Sequence, residues 1–174
     1  TFHFTITAQP VPDWKGRPQY QGDQPLLRGR RLLVVDDNAT NRRIISLQTE
    51  KWGMEPHETE HPREALEWLK EGHHFDLVIT DMHMPEIDGL MFTREIRKLQ
   101  DEKALPIILL TSLGRREFGA EQLNITAYLT KPLKPSALYD ALASIFARSL
   151  AAPKSEASKI LMDAEMGKLH PLRV

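Results

Sequence analysis

The chain contains no cysteine in its 174 residues. That excludes disulfides and thiolate metal sites outright. It has no apolar run near the roughly 20 residues that span a bilayer. It also lacks a dominant charge. Lys and Arg number 23 against 24 Asp and Glu, a formal net of −1, so no global field draws nucleic acid or an anionic membrane. The basic spots "GRRL" and "GRRE" are too small for a nucleic-acid footprint. "TFHFTITAQP" has no basic region followed by an apolar stretch and is not read as a signal peptide. The missing initiator Met suggests a piece of something longer. What is present is ordinary for a globular protein: 41% hydrophobic and 27% charged residues, enough for a real core. The length suits one domain with tails.

Residues 1–7 alternate in a strand-like way, with Phe2, Phe4 and Ile6 on one side. Residues 8–29, rich in Pro and Gly, read as a linker. From Arg30 to Leu150 short apolar runs alternate with helix-period segments. The expected strands are Arg31–Val35, Met54–Thr59, Phe75–Thr80, Leu105–Leu110 and Ala127–Leu129. The expected helices are Ala39–Lys51, Pro62–Lys70, Gly89–Leu99, Arg115–Leu123 and Pro135–Leu150. Ile44, Ile45, Leu47 and Trp52 face inward in this reading. So do Phe92, Ile96 and Leu99, and Leu138, Leu142, Ile145 and Phe146. Residues 151–170 read as a second linker before an apolar ending at 171–174. Alternating strands and helices imply a parallel sheet covered on both faces.

Ligands of such sheets collect beyond the carboxyl ends of the strands. Asp36 and Asp37 follow the first strand, Asp81 the third, Thr111 the fourth and Lys131 the fifth. Three carboxylates and one ammonium leave a charge of −2. Like charges a few ångströms apart repel by about 4 kcal/mol at an effective dielectric of 20. The cluster must hold protons or a cation. Oxygen-only ligands suit Mg²⁺ or a similar hard ion. One Asp can then attack phosphorus while the others hold metal. A lysine and a hydroxyl suit phosphoryl oxygens. The histidines His57, His61, His73, His74 and His83 lack ligand spacing and read as surface residues. Asp37 or Asn38 is a candidate helix cap, and Asp88-Gly89 a turn and helix start.

The acidic pair in "VVDDN", Asp81 in "DMHMPEIDG", Thr111 in "LLTS" and Lys131-Pro132 in "YLTKPL" resemble the receiver domains of two-component signalling over 30–150. The separations of 44 from Asp37 to Asp81, 30 from Asp81 to Thr111 and 50 from Asp81 to Lys131 fit the intervening elements. The resemblance implies a doubly wound α/β fold of flavodoxin-like type with strand order 2-1-3-4-5. It makes Asp81 the phosphoacceptor. It makes Asp37 a direct Mg²⁺ ligand, Asp36 a ligand through water, and the His83 backbone carbonyl a further ligand. Lys131 becomes the phosphate-binding lysine, Thr111 the switch hydroxyl and Tyr128 the switch aromatic. A cis bond at Lys131-Pro132 is expected. The implied partner is the phosphohistidine of a kinase or of a histidine phosphotransfer domain. Neither nucleic acid nor membrane is expected to touch this part of the chain. The side formed by the fourth and fifth units is the expected switch and dimer face.

"TFHFTI" resembles the last strand of a histidine kinase ATP-binding domain, and "HPLRV" the opening strand of another receiver. Together they imply a hybrid kinase with tandem receivers, cytoplasmic here on a parent chain that can be membrane-anchored. No kinase glycine box or dimerisation histidine is present, so these residues are not expected to bind ATP. The rival reading is a receiver-shaped docking module that never accepts phosphate. An aspartyl phosphatase would carry Asp-x-Asp after its first strand. A flavin site would offer hydroxyls, not two carboxylates, in its first loop.

Overall fold

The computed structural model describes residues 22–112 and 123–151. Five strands, β1 (Arg31–Val35), β2 (Glu55–Thr59), β3 (Leu77–Asp81), β4 (Ile107–Ser112) and β5 (Ala127–Lys131), alternate with α1 (Ala39–Glu50), α2 (Pro62–Lys70), α3 (Gly89–Leu99) and α4 (Pro135–Ala151). All strand pairs are parallel, in the order β2-β1-β3-β4-β5. This is the doubly wound, flavodoxin-like order expected from the sequence.

Strand parity sorts the core into two layers, because successive side chains leave opposite faces. Leu32, Val34, Leu77, Ile79, Ile108 and Leu110 pack under α1 and α4 against Ile45, Trp52, Leu138, Leu142 and Phe146. Leu33, Val35, Val78 and Ile107 pack under α2 and α3 against Ala65, Leu66, Leu69, Phe92 and Ile96. Strands buried on both faces must be apolar throughout, as β3 and β4 nearly are. β2, with the sequence EPHET, is an edge strand, and its Pro56 is tolerated there. Local signals set the helix starts. The Asn38 side chain caps α1, accepting from the Thr40 and Asn41 N–H groups. Asp88 caps α3 through Met91 N. Pro62 opens α2, where a missing N–H is harmless.

Four differences from the sequence reading matter. Asp81 and Lys131 end their strands, and Thr111 lies inside β4 one residue before its end, instead of following them, because parallel pairing runs on into the polar residues. Ile44, Leu47 and Leu99 are exposed, at 53%, 39% and 44%. α1 buries a narrower stripe, Ile45, Ser46 and Thr49. Within the expected linker, residues 24–29 pack onto the domain. Leu27 is fully buried in the α1–α4 layer, Gln24 N donates to Trp52 O at 3.0 Å, and Gly29 N to Gly53 O at 2.7 Å. The strand expected from Met54 starts at Glu55. The helix expected over 115–123 lies outside the described residues except for Leu123. The segments 1–7, 8–21 and 152–174 lie outside them as well. Among the described residues no helix is long and apolar enough to cross a membrane.

Candidate functional site

The apolar run of β1 stops where the sheet stops, and Asp36 is the next residue. It is fully buried, which a carboxylate tolerates only when paired and hydrogen-bonded. Its Oδ1 accepts from Asn38 N at 2.9 Å and Asn41 Nδ2 at 3.2 Å. Its Oδ2 accepts from Asn41 Nδ2 at 3.1 Å and Lys131 Nζ at 3.0 Å. The Asp36 carbonyl accepts from Arg42 at 2.7 Å. Asp37 is exposed beside it.

Asp81 comes from the central strand β3, directly beside β1, so the two acidic positions are neighbours by register. Asp81 shares parity with Leu77 and Ile79, as Lys131 does with Ala127 and Leu129. All of these point toward the α1–α4 layer. Lys131 Nζ therefore reaches both Asp81 Oδ1, at 2.8 Å, and Asp36 Oδ2. Met82 N also donates to Asp81 Oδ1, at 2.9 Å. Among the described residues no buried side-chain nitrogen or oxygen lacks a hydrogen-bond partner. Among the described residues, nothing donates to Asp81 Oδ2.

Burial pushes the Asp81 carboxyl above its ordinary 3.8. The bond and charge of Lys131 act downward, Asp36 acts upward, and the Met82 N–H acts downward. Burial pulls the Lys131 ammonium down, but its bonds and charge interactions with Asp81 and Asp36 outweigh that and hold it above 10.5.

One oxygen each from Asp36, Asp37 and Asp81 lies within 4.8 Å of the others. This hard, all-oxygen donor set fits a small divalent cation. Within it the carboxylates differ. Asp36 has its acceptor positions filled by N–H donors, while Asp37 and Asp81 Oδ2 have oxygens to offer.

Thr111 Oγ1 donates to Ser112 O at 2.9 Å, and its parity is that of Ile107 in the α2–α3 layer, not that of Asp81. Tyr128 is 44% exposed on β5. The His83 side chain is exposed, two residues past Asp81. The Lys131-Pro132 bond is cis.

Asn41 was not picked out in the sequence, and Gly89 was read only as part of a turn and helix start. Asn41 grips Asp36, and its one signal is position, three residues after the cap and so on the same helix face. Gly89 lets α3 start against β3. A Cβ there would lie 2.3 Å from the Asp81 carbonyl oxygen and 2.8 Å from Leu109 Cδ1.

The model of the response regulator receiver domain matches residues 32–143. The chain belongs to that family. This receiver is 33% identical over 126 residues to chemotaxis protein CheY-3 of Vibrio cholerae, a match covering 71% of this chain and 96% of that one. It is 31% identical over 143 residues to Histidine kinase 2 of Arabidopsis thaliana, covering 70% of this chain but 12% of that much longer protein. A receiver domain protein of Clostridium thermocellum superposes with a TM-score of 0.62 at 29% identity, covering 76% of this chain and 99% of that one. The receiver is thus a module of two-component signalling, with the doubly wound fold of its relatives.

Proposed function

We propose that this receiver accepts a phosphoryl group on Asp81 from a histidine phosphoramidate, with Mg²⁺ as the cofactor. The observation that carries the reading is the asymmetry of Asp81. Oδ1 is held by Met82 N and Lys131, and Oδ2 is left open beside two further carboxylates. Oδ2 forms the new bond to phosphorus. The P–N bond breaks, its electron pair stays on the imidazole, and that nitrogen takes up a proton. Bound between Asp37, Asp81 and the His83 carbonyl, Mg²⁺ would supply charge neutralisation for the phosphoryl oxygens. Asp36 supports from behind by fixing Lys131, whose ammonium already lies against Asp81 and suits a phosphoryl oxygen.

Thr111 and Tyr128 are the switch pair in this reading. The Thr111 hydroxyl leaves the Ser112 carbonyl for a phosphoryl oxygen, and Tyr128 follows from its exposed position. That is a population shift between two states of the β4–β5 side. The donor histidine approaches over α1. Exposed Ile44 stands there above a groove lined by Ile45, Lys131, Pro132 and Leu133. The similarity to Histidine kinase 2 supports a hybrid histidine kinase as the parent chain.

The test is labelling with acetyl phosphate in the presence and absence of Mg²⁺. Labelling is expected in wild type and in His83→Ala, which keeps its backbone carbonyl, and is expected to vanish in Asp81→Ala. Labelling that persists in Asp81→Ala removes this reading.

A further inference from the structure

Asp36 is more tightly committed than either of its acidic neighbours. Each carboxylate oxygen has two lone pairs to offer; Oδ1 accepts from Asn38 N and Oδ2 from Lys131 Nζ, and the one Asn41 Nδ2 is shared between both oxygens. Its carbonyl is held by Arg42 at 2.7 Å, and Arg42 is itself paired with Glu60 at 3.3 Å. The residue is fully buried, so water has no access to replace a donor that leaves.

The donors are not equivalent. Asn38 N is fixed by the start of α1. Lys131 is shared with Asp81. Only the Asn41 amide is a side-chain group given over to Asp36, and it spans both oxygens at 3.2 and 3.1 Å.

We infer that Asn41 is a positioning residue that keeps Asp36 turned to Lys131 and away from the divalent cation. The inference rests on the phosphoacceptor reading above. With the amide removed, the acceptor position it fills between the two oxygens opens. The carboxylate can then turn toward Asp37 and Asp81, whose nearest oxygens already lie within 4.8 Å. Asp36 becomes a direct ligand, and Lys131 loses the second of the two carboxylates that orient it. Two effects of opposite sign follow: the cation binds more tightly, and phosphoryl acceptance slows.

The test uses the full chain with Asn41→Leu and, as the variant that keeps one donor, Asn41→Ser. Calorimetric titration with Mg²⁺ alone is expected to show roughly tenfold tighter binding in Asn41→Leu, the scale of one charge-assisted hydrogen bond. Acetyl phosphate labelling at saturating Mg²⁺ is expected to slow by a similar factor. Asn41→Ser falls between wild type and Asn41→Leu in both. A merely structural loss would weaken Mg²⁺ binding along with labelling. Unchanged or weaker Mg²⁺ binding in the variants, beside a wild type that binds and labels normally, overturns the inference. Should Asn41→Leu not fold, the same outcomes in Asn41→Ser decide. A wild type that neither binds Mg²⁺ nor labels overturns the phosphoacceptor reading instead.

Discussion

Asp81 and Lys131 are adjacent, yet their contributions to stability depend on pH in different windows. The folded-state pKa of Asp81 lies above 3.8. Its neutral form is therefore the one the fold prefers, and ionisation costs stability as pH rises from 3.8 through the raised value. Without Mg²⁺, Asp81→Asn should raise the thermal midpoint at neutral pH, and the gain should fade as pH falls toward 3.8; no gain at neutral pH would contradict the burial argument. Lys131 has its pKa raised above 10.5. Its contribution is complete below 10.5 and is lost as pH rises through the folded value. Lys131→Met leaves Asp36 and Asp81 facing each other, and should lose about 2–4 kcal/mol in urea denaturation at neutral pH. At Gly89 the argument is steric. The 2.3 Å approach of a Cβ to the Asp81 carbonyl oxygen sets a fixed side-chain carbon against backbone. Gly89→Ala should lose about 1–3 kcal/mol and slow labelling, because the atoms that yield belong to the acceptor residue.

Among the elements, the Arg97 side chain ties α3 to the loops that lead into β4 and β5. The Arg97 guanidinium donates to the carbonyls of Leu105 at 2.9 Å, Asn124 at 3.0 Å, Leu123 at 3.2 Å and Asp101 at 3.4 Å. Burial draws its pKa below the ordinary arginine value, while Glu102 and Asp101 act upward, so the carbonyls hold a partly desolvated cation. Arg97→Leu should speed hydrogen exchange over 123–126 while leaving β1 and β3 protected; uniform loosening would mean that the tie is not local. The sequence showed α3 through its period but gave no sign of this tie. Carbonyl acceptors are not written in side-chain identities, and the partners lie up to 27 positions away. The same limit explains Ile44 and Leu47. Period alone assigned both to the core, but the burial stripe of α1 depends on how the helix is rolled against the sheet, and β1 and β2 decide that.

For the molecule as a whole, residues 24–30 clamp the end of α1 to α4. Tyr139 donates to Gln24 Oε1 at 3.0 Å, Arg30 stacks over Phe146 at 5.0 Å, and Leu27 fills the layer between. Leu27→Ala should lose about 2–5 kcal/mol, as large an effect as a substitution in β3; a loss under 1 kcal/mol would return the segment to linker status. Pro25 and the prolines and glycines before it made it look like a linker, because composition records turns but not what the turns rest on. By itself the sequence determined the strand–helix alternation, the family, and the acids and lysine gathered at one rim of the sheet. Each of those follows from local pattern and from chain order. Only the tertiary structure decided which groups meet. Strand parity sets Lys131 between Asp36 and Asp81 and leaves the Thr111 hydroxyl on the Ser112 carbonyl. The first turn of α1 brings the Asn41 amide back onto nearby Asp36, whereas the Lys131 contact exists only once segments 95 positions apart share one volume.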